Sequence, residues 1–366
     1  MGTDRRIKSV VISFMHAVDS SLQHAFFSCK LWMLISRGRD LLFKYYGTRF
    51  ALLIPKLILI SIIIFVGIQI SPGDPITSTI SPEVYAKLNP AQLEDLRTKL
   101  GLNDSMVHQY LRWFTGLFRG DFGYSLVTGG KISKIIANRL PATFELAFLA
   151  LIFATFFGLL FGALSAIKKN SVIDYANTVF GMIGISVPPF FFGLIAILFF
   201  SIHLKWLPTG GRMGYGDVNF LDRFKYLILP AFILGISLVA TLMRFTRGSM
   251  LDVLSKDYIK VARSKGISEP KVNMKHGFRN ALIPIMVVLV MRIPMLVGGT
   301  VIIESVFNYP GMGSLMVSSI SGSDMPVVMI GTFVMTASIL VASFLVDVFA
   351  AMIDPRIRFG AEEGAS

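Results

Sequence analysis

Three observations predict an all-α polytopic membrane protein with about six transmembrane helices. Of the 366 residues, 54% are hydrophobic and 16% charged, against roughly 25% charged in soluble domains, and mean hydropathy is +0.67. Apolar runs recur at lengths that match a bilayer core. The basic residues, 35 Lys and Arg against 22 Asp and Glu for a net charge of +13, gather between those runs, as they do in the cytoplasmic loops of membrane proteins. Nucleic acid, the usual partner of such a charge on a soluble chain, need not be invoked. A disordered chain is excluded by the same composition.

Residues 1–45 read as an N-terminal cytoplasmic extension. Its apolar stretches, 9–18 and 25–36, are too short to span and are broken by His16, Asp19 and Lys30. They suit an interfacial amphipathic helix, or a start codon set too early, with Met33 as a later start. No convincing small-x-small cleavage site marks a signal peptide. The first span is assigned to 46–71. Residues 50–70 carry only Lys56 as a charge and reach ~31 Å as a helix, one bilayer core. Ser71-Pro72-Gly73-Asp74-Pro75 is a firm stop.

Residues 72–139 are polar and mixed, and are expected to form a small helical extracytoplasmic domain. Asn89 and Pro90 suit an N-cap and first helical position. Leu93, Leu96 and Leu100 make a stripe that Gly101 closes. A second helix is expected over 106–118, with Val107, Leu111, Phe114 and Phe118 facing inward.

A transmembrane core follows over 140–351, with a cytoplasmic tail at 352–366. Spans fit 141–167, 172–204, 226–243, 281–303 and 326–350. Gly158 and Gly162 in the first of these either permit close helix packing or share that spacing by chance. The stretch 172–204 would reach ~50 Å as one helix, and Pro188-Pro189 in its middle must bend or break it, giving one bent span or two short ones. With one bent span both termini are cytoplasmic and 21 of the 35 basic residues lie inside. Seven spans would put the nine Lys and Arg of 244–280 outside, against the positive-inside rule.

No catalytic, metal or cofactor site is apparent. Cys29 is the single cysteine, and the five histidines are scattered. Gly129-Gly130-Lys131 is followed by Ile132 rather than Ser or Thr, so it is not a phosphate loop.

The segment 244–280 sets its nine basic residues against Asp252, Asp257 and Glu269. Ser255 is placed to N-cap a short helix, with Leu254 and Ile259 as a hydrophobic staple. Tyr258, Ile259 and Ala262 are expected on one face, and Gly266 at the C′ position. Such a helix either lies on anionic lipid or docks a cytoplasmic partner. A second helix is expected from Ser268-Glu269-Pro270 into the next span.

The string Asp257-Tyr258-Ile259-Lys260-Val261-Ala262-Arg263-Ser264-Lys265-Gly266 resembles the coupling segment of the peptide/nickel-type permeases of ABC importers, and Arg279-Asn280-Ala281-Leu282-Ile283-Pro284 continues the likeness. It covers about residues 46–359. It includes Pro72-Gly73-Asp74-Pro75, Arg119-Gly120-Asp121-Phe122-Gly123-Tyr124-Ser125, Arg139-Leu140-Pro141-Ala142-Thr143, Gly184-Ile185-Ser186-Val187-Pro188, Trp206-Leu207-Pro208-Thr209-Gly210-Gly211, Glu304-Ser305-Val306-Phe307-Asn308-Tyr309-Pro310-Gly311 and Asp354-Pro355-Arg356-Ile357-Arg358. Ser264 departs from the usual Ala, and residues 1–45 have no counterpart in the resemblance.

What the resemblance implies is the type I ABC importer permease fold in a bacterial or archaeal cytoplasmic membrane, forming half of a path for peptides or related solutes. A second similar permease subunit, two cytoplasmic ATP-binding subunits that carry the ATP hydrolysis, and an extracytoplasmic solute-binding protein would complete it. Asp257, Tyr258, Ala262, Arg263, Lys265 and Gly266 would form the coupling element. Arg263 and Lys265 would either meet acidic residues of the ATPase or serve as ordinary cytoplasmic charge. Arg292, midway along 281–303, either lines the substrate path or pairs with Glu145, Glu304 or a carbonyl. The rival functions are a self-contained secondary transporter, which should show internal repeats and midplane ionisable groups, and an intramembrane enzyme, which needs paired catalytic groups.

Overall fold

The computed structural model describes residues 46–70, 76, 80, 82–100, 102–212 and 220–353. The extension 1–45, the stop at Pro72–Pro75, Gly101 and the tail beyond Ile353 lie outside them. Pro55–Ile357 is one compact unit. Of the other, residues 46–54 are described, and they are helical.

The elements are α1 (Tyr46–Ile70), α2 (Pro82–Tyr85), α3 (Pro90–Leu100), α4 (Met106–Phe118), α5 (Ile132–Ile167), α6 (Val172–Ser186), α7 (Pro189–His203), α8 (Phe220–Leu254), α9 (Asp257–Ser264), α10 (Glu269–Met291), α11 (Ile293–Val306), α12 (Met312–Ser321) and α13 (Met325–Ile353). Five of them, α1, α5, α8, α10 and α13, are long and apolar enough to cross a bilayer, and α6 with α7 makes a sixth if counted as one broken span. That pair bends by 104°. Val187 is extended there, as the residue before a proline prefers, and Pro189 starts the next helix.

Asn89 does cap α3. Its Oδ1 accepts from the Gln92 amide at 2.8 Å, while Gln92 Oε1 accepts from the Asn89 amide at 2.9 Å. The pair is a capping box whose second half the sequence reading missed.

Helix α4 has the expected bounds but a different inward face. Val107 and Phe118 are 64% and 79% exposed, and Leu111 is exposed as well. The inward face lies one step round, at Tyr110, Trp113 and Leu117. The Tyr110 hydroxyl hydrogen-bonds Ser61 of α1 at 2.8 Å, and the Trp113 ring meets Phe65 of α1 and Phe333 of α13. The helix is apolar on two faces, so periodicity alone could not choose between them.

The centre is the packing of α5 on α8, the most buried of the long apolar helices. Ala150, Ala154, Gly158, Gly162 and Ala166 recur every fourth residue on α5, all buried. A Cβ on Gly158 would stand 2.6 Å from the Leu242 Cβ, and one on Gly162 would stand 2.5 Å from the Thr246 Cβ and 2.6 Å from the Met243 carbonyl oxygen. The glycine pair therefore serves close helix packing.

Both helices outrun their expected spans. α5 starts at Ile132, inside the segment assigned to the outer domain. α8 continues to Leu254, and α10 begins at Glu269. The expected loop 244–280 is thus mostly helix, with only 255–268 between α8 and α10. The expected span 281–303 is also divided, because Pro294 follows Arg292 and Ile293 and the helix breaks at Arg292.

Gly162→Ala should destabilise the protein by about 1–3 kcal/mol through overpacking. Gly248→Ala, where an added Cβ meets nothing within 4 Å, should leave the midpoint unchanged or slightly raised. Thermal unfolding of the two purified variants in one detergent makes the comparison.

Candidate functional site: coupling helix and membrane cavity

Helix α9 is eight residues held between two membrane helices. Its N-cap is Lys256, not Ser255. The last turn of α8 runs on through Ser255, whose amide donates to the Leu251 carbonyl at 3.1 Å and whose hydroxyl donates to the Asp252 carbonyl at 2.7 Å. Ser255 is therefore used up by α8. Ile259 is fully buried, and with Ala262 it packs on Val272 of α10, flanked by Leu254 and Ile267. The staple contact exists with its register shifted by one.

Tyr258 does not share that buried face. It is 46% exposed and Val261 54%, and the Tyr258 hydroxyl accepts from Asn280 Nδ2 at 3.4 Å. Asp257 is exposed and pairs with Lys260 at 2.9 Å.

The C-terminus of α9 closes as a Schellman motif. The Ile267 amide donates to the Ala262 carbonyl at 3.3 Å and the Gly266 amide to the Arg263 carbonyl at 2.9 Å. Gly266 has φ +73°, and a Cβ there would meet nothing within 4 Å. The need for glycine is thus conformational rather than one of space. Arg263 grips Glu269 of α10 through both carboxylate oxygens, at 2.8 and 3.3 Å. Lys265 is the exposed C-cap. Seven residues of α10 beside α9, Val272–Phe278, wind as a π-helix, a form found often at functional sites.

Above this lies a cavity of about 1040 Å³ between the α6–α7 bend, α8 and α10–α11. Arg292 lines it from the helix break, as does Arg244 of α8. The alternative of pairing Arg292 with Glu145 or Glu304 fails, because both carboxylates are engaged elsewhere. Glu145, expected near an interface, receives both oxygens' bonds from Arg212 at 3.1 Å, a further bond from Arg223, and one from the Tyr309 hydroxyl at 3.5 Å.

Glu304 is fully buried. Its carboxylate accepts from Thr143 Oγ1 at 2.7 Å, the Gly313 amide at 2.7 Å and the Ser314 amide at 3.1 Å. The last two open α12, where a helix end offers unpaired amides. A Cβ on Gly311 would fall 2.2 Å from Glu304 Cδ, so the carboxylate and this glycine require each other. Two of the quoted sequence strings, 139–143 and 304–311, meet at this point.

A second buried acid, Asp174 at the start of α6, takes Arg247 of α8 bidentately at 2.7 and 2.8 Å. A third, Asp324, takes the Ser125 hydroxyl and the Leu126 amide. Sequence reading missed Arg244, Asp174, Arg247 and Asp324. The available signal for Arg244 was the unbroken helical period of Leu234, Leu238, Thr241 and Phe245, with no stop residue after 243.

Residues 158–359 match the model of the binding-protein-dependent transport system inner membrane component, and 42–147 match the N-terminal model of the same kind of membrane component. The oligopeptide transport system permease protein AppB of Bacillus subtilis is 41% identical over 317 residues, 86% of this chain and 99% of that protein. The chain belongs to this permease family. A putative peptide permease protein of Brucella suis is 38% identical over 317 residues, with the same coverage. The glutathione transport system permease protein GsiC of Escherichia coli K12 is 35% identical over 316 residues, again 86% and 99%.

A chain of the MetNI methionine ABC transporter, solved in inward facing conformations, superposes with TM-score 0.50 at 15% identity over 61% of this chain and 97% of its own. That likeness concerns the fold. The permease is thus a multi-pass, membrane-embedded subunit of an ABC importer, working with an ATPase and a binding protein. Membership of this family favours that reading over a self-contained secondary transporter.

Glu304→Ala should cost about 3 kcal/mol or more, because it strands the buried Gly313 amide, the part-buried Ser314 amide and the Thr143 hydroxyl. Glu304→Gln, which keeps an acceptor, should cost less. Yield of folded protein and melting temperature in detergent separate the two.

Proposed function

We propose that this permease forms half of the translocation path for peptides or chemically related solutes. The names of the oligopeptide and glutathione relatives support that solute class. A second similar permease subunit would supply the other half, with two ATP-binding subunits beneath and a solute-binding protein above. Both termini then face the cytoplasm, and the segment from Ser71 to α5 faces the binding protein.

In this reading α9 is the coupling helix. One observation carries it: Ile259 and Ala262 clamp the helix to α10 while Tyr258 and Val261 stay exposed on the other side. A short helix so held moves with α8 and α10 as one body. An ATPase that grips its free face would rock those helices and shift the cavity between two states, by no more than its differential affinity for them. Tyr258 and Lys265 are the exposed contacts, Asp257 and Ala262 shape the helix, Arg263 braces it through Glu269, and Gly266 makes the turn. Arg292 belongs to the solute path.

Val261→Asp is expected to reduce ATP-driven peptide uptake about tenfold or more while insertion and thermal stability hold, because it alters only the exposed face. Gly266→Val, with φ +73° to sustain, should abolish uptake and lower stability modestly, by ~1 kcal/mol. ATP-driven uptake in proteoliposomes holding all subunits is the measurement. Normal uptake by both variants would sink the docking role. Uptake by this chain alone on an ion gradient would sink the importer reading itself.

A further inference from the structure

The cavity holds two guanidinium groups and no carboxylate. Its other lining residues are apolar, apart from Ser237 and Thr241. Four other arginines show the contrast: Arg212 and Arg223 hold Glu145, Arg247 holds Asp174, and Arg263 holds Glu269. Among the described residues no ion pair involves Arg244 or Arg292. The nearest polar contact of the Arg292 side chain is the Met295 sulfur, at 3.4 Å from Nη1.

The two arginines lie about one helical turn apart along the cavity. α8 and α10–α11 run antiparallel: an added Cβ on Gly277 would meet Leu254, one on Gly299 would meet Leu234, and Met250 shares a cluster with Ala281 and Ile285. The lining positions of α8 run from Leu234 to Phe245, and those of α10–α11 from Val288 to Ile303. In that register Arg244 lies level with the first of the latter, nearest α9, and Arg292 about 6 Å further along, level with Ala240. The opposite end is walled by Leu234, Ile302 and Ile303.

A cation among apolar walls at membrane depth is costly and, where unpaired, is a functional group awaiting a partner. Planar guanidinium presents two parallel N–H donors to the two oxygens of a carboxylate. We propose that Arg244 and Arg292 are a carboxylate station, a specificity-determining site at which a solute's terminal or side-chain carboxylate is held at the α9 end of the cavity. This rests on the reading of the cavity as solute path. The geometry also ties release to coupling. Arg244 is three residues from Arg247, which is locked to α6, and ten from the end of α8, where α9 begins. Movement of α9 with α8 and α10 therefore carries both arginines together and shifts the station as a whole.

The test has two arms, both on the complete complex in proteoliposomes. The first compares ATP-driven uptake of trialanine and trialanine amide. Wild type should prefer the acid, and Arg244→Gln with Arg292→Gln should lower that preference about tenfold. The binding protein is the same in both, so a changed ratio belongs to the membrane subunit. Arg244→Lys with Arg292→Lys should restore most of it. An unchanged ratio in the Gln pair overturns the proposal.

The second arm needs no transport. With Cys29→Ser and Thr241→Cys, the single thiol in the cavity is titrated with an anionic and a cationic methanethiosulfonate. The anionic reagent should gain about tenfold in relative rate when the arginines are present rather than Gln. Equal relative rates would mean that an acidic residue of the second subunit or a bound phospholipid already neutralises the pair, and would overturn the proposal. If wild type moves neither peptide yet the thiol rates show that bias toward the anionic reagent, the peptide reading falls and the anion station stands.

Discussion

The rest of the molecule depends on how closely α5 and α8 approach. At Gly158 and Gly162 the helices come within reach of each other's backbone, and the contact continues through Ala150 and Ala154. Lipid offers no hydrophobic drive for helix association, so packing of this kind is what holds spans together. Once α8 is pinned, it can serve as the axis on which the other parts hang. The α6–α7 bend packs on one side, with an added Cβ at Gly184 only 3.1 Å from Ala240. α10 packs on another, and α9 is carried at its end.

Charges then tie the periphery to that axis. Each buried acid joins elements far apart in sequence: Asp174 with Arg247, Glu304 with Thr143 and the start of α12, Asp324 with Ser125. Such bonds add little net stability in a wet setting, but breaking one half of a buried set is expensive. They therefore specify which helix ends meet. Among the described residues Arg244 and Arg292, like Arg119, Arg139 and Arg279, form no ion pair, and what sets the first two apart is the apolar wall around them.

Much of this was legible in the sequence. Span number, the α3 cap, the glycine pair, Gly266 and the course of α10 follow from hydropathy, capping chemistry and spacing. The strings that resemble the permease family carried the assignment. What misled was local. On α4 two apolar faces compete, and only the neighbours Phe65 and Phe333 decide. Ser255 had the chemistry of a cap but was claimed by the helix before it. Arg292 was placed mid-span, yet whether it had a partner depended on Glu145 and Glu304, whose own partners come from residues as much as 164 positions away. The polar network is long-range, and no periodicity reports it.

Less than two turns of α8 carry an unusual share of the structure. Within residues 242–247, Leu242 and Thr246 receive the two glycines of α5, Arg247 clamps α6, and Arg244 faces the cavity. Substitutions here have no independent sites to act on. Changes at Gly162 and Arg244, or at Asp174 and Gly158, meet through the same six residues, and their energies will not add. The region is thus one unit of variation: it tolerates change in concert far better than piece by piece.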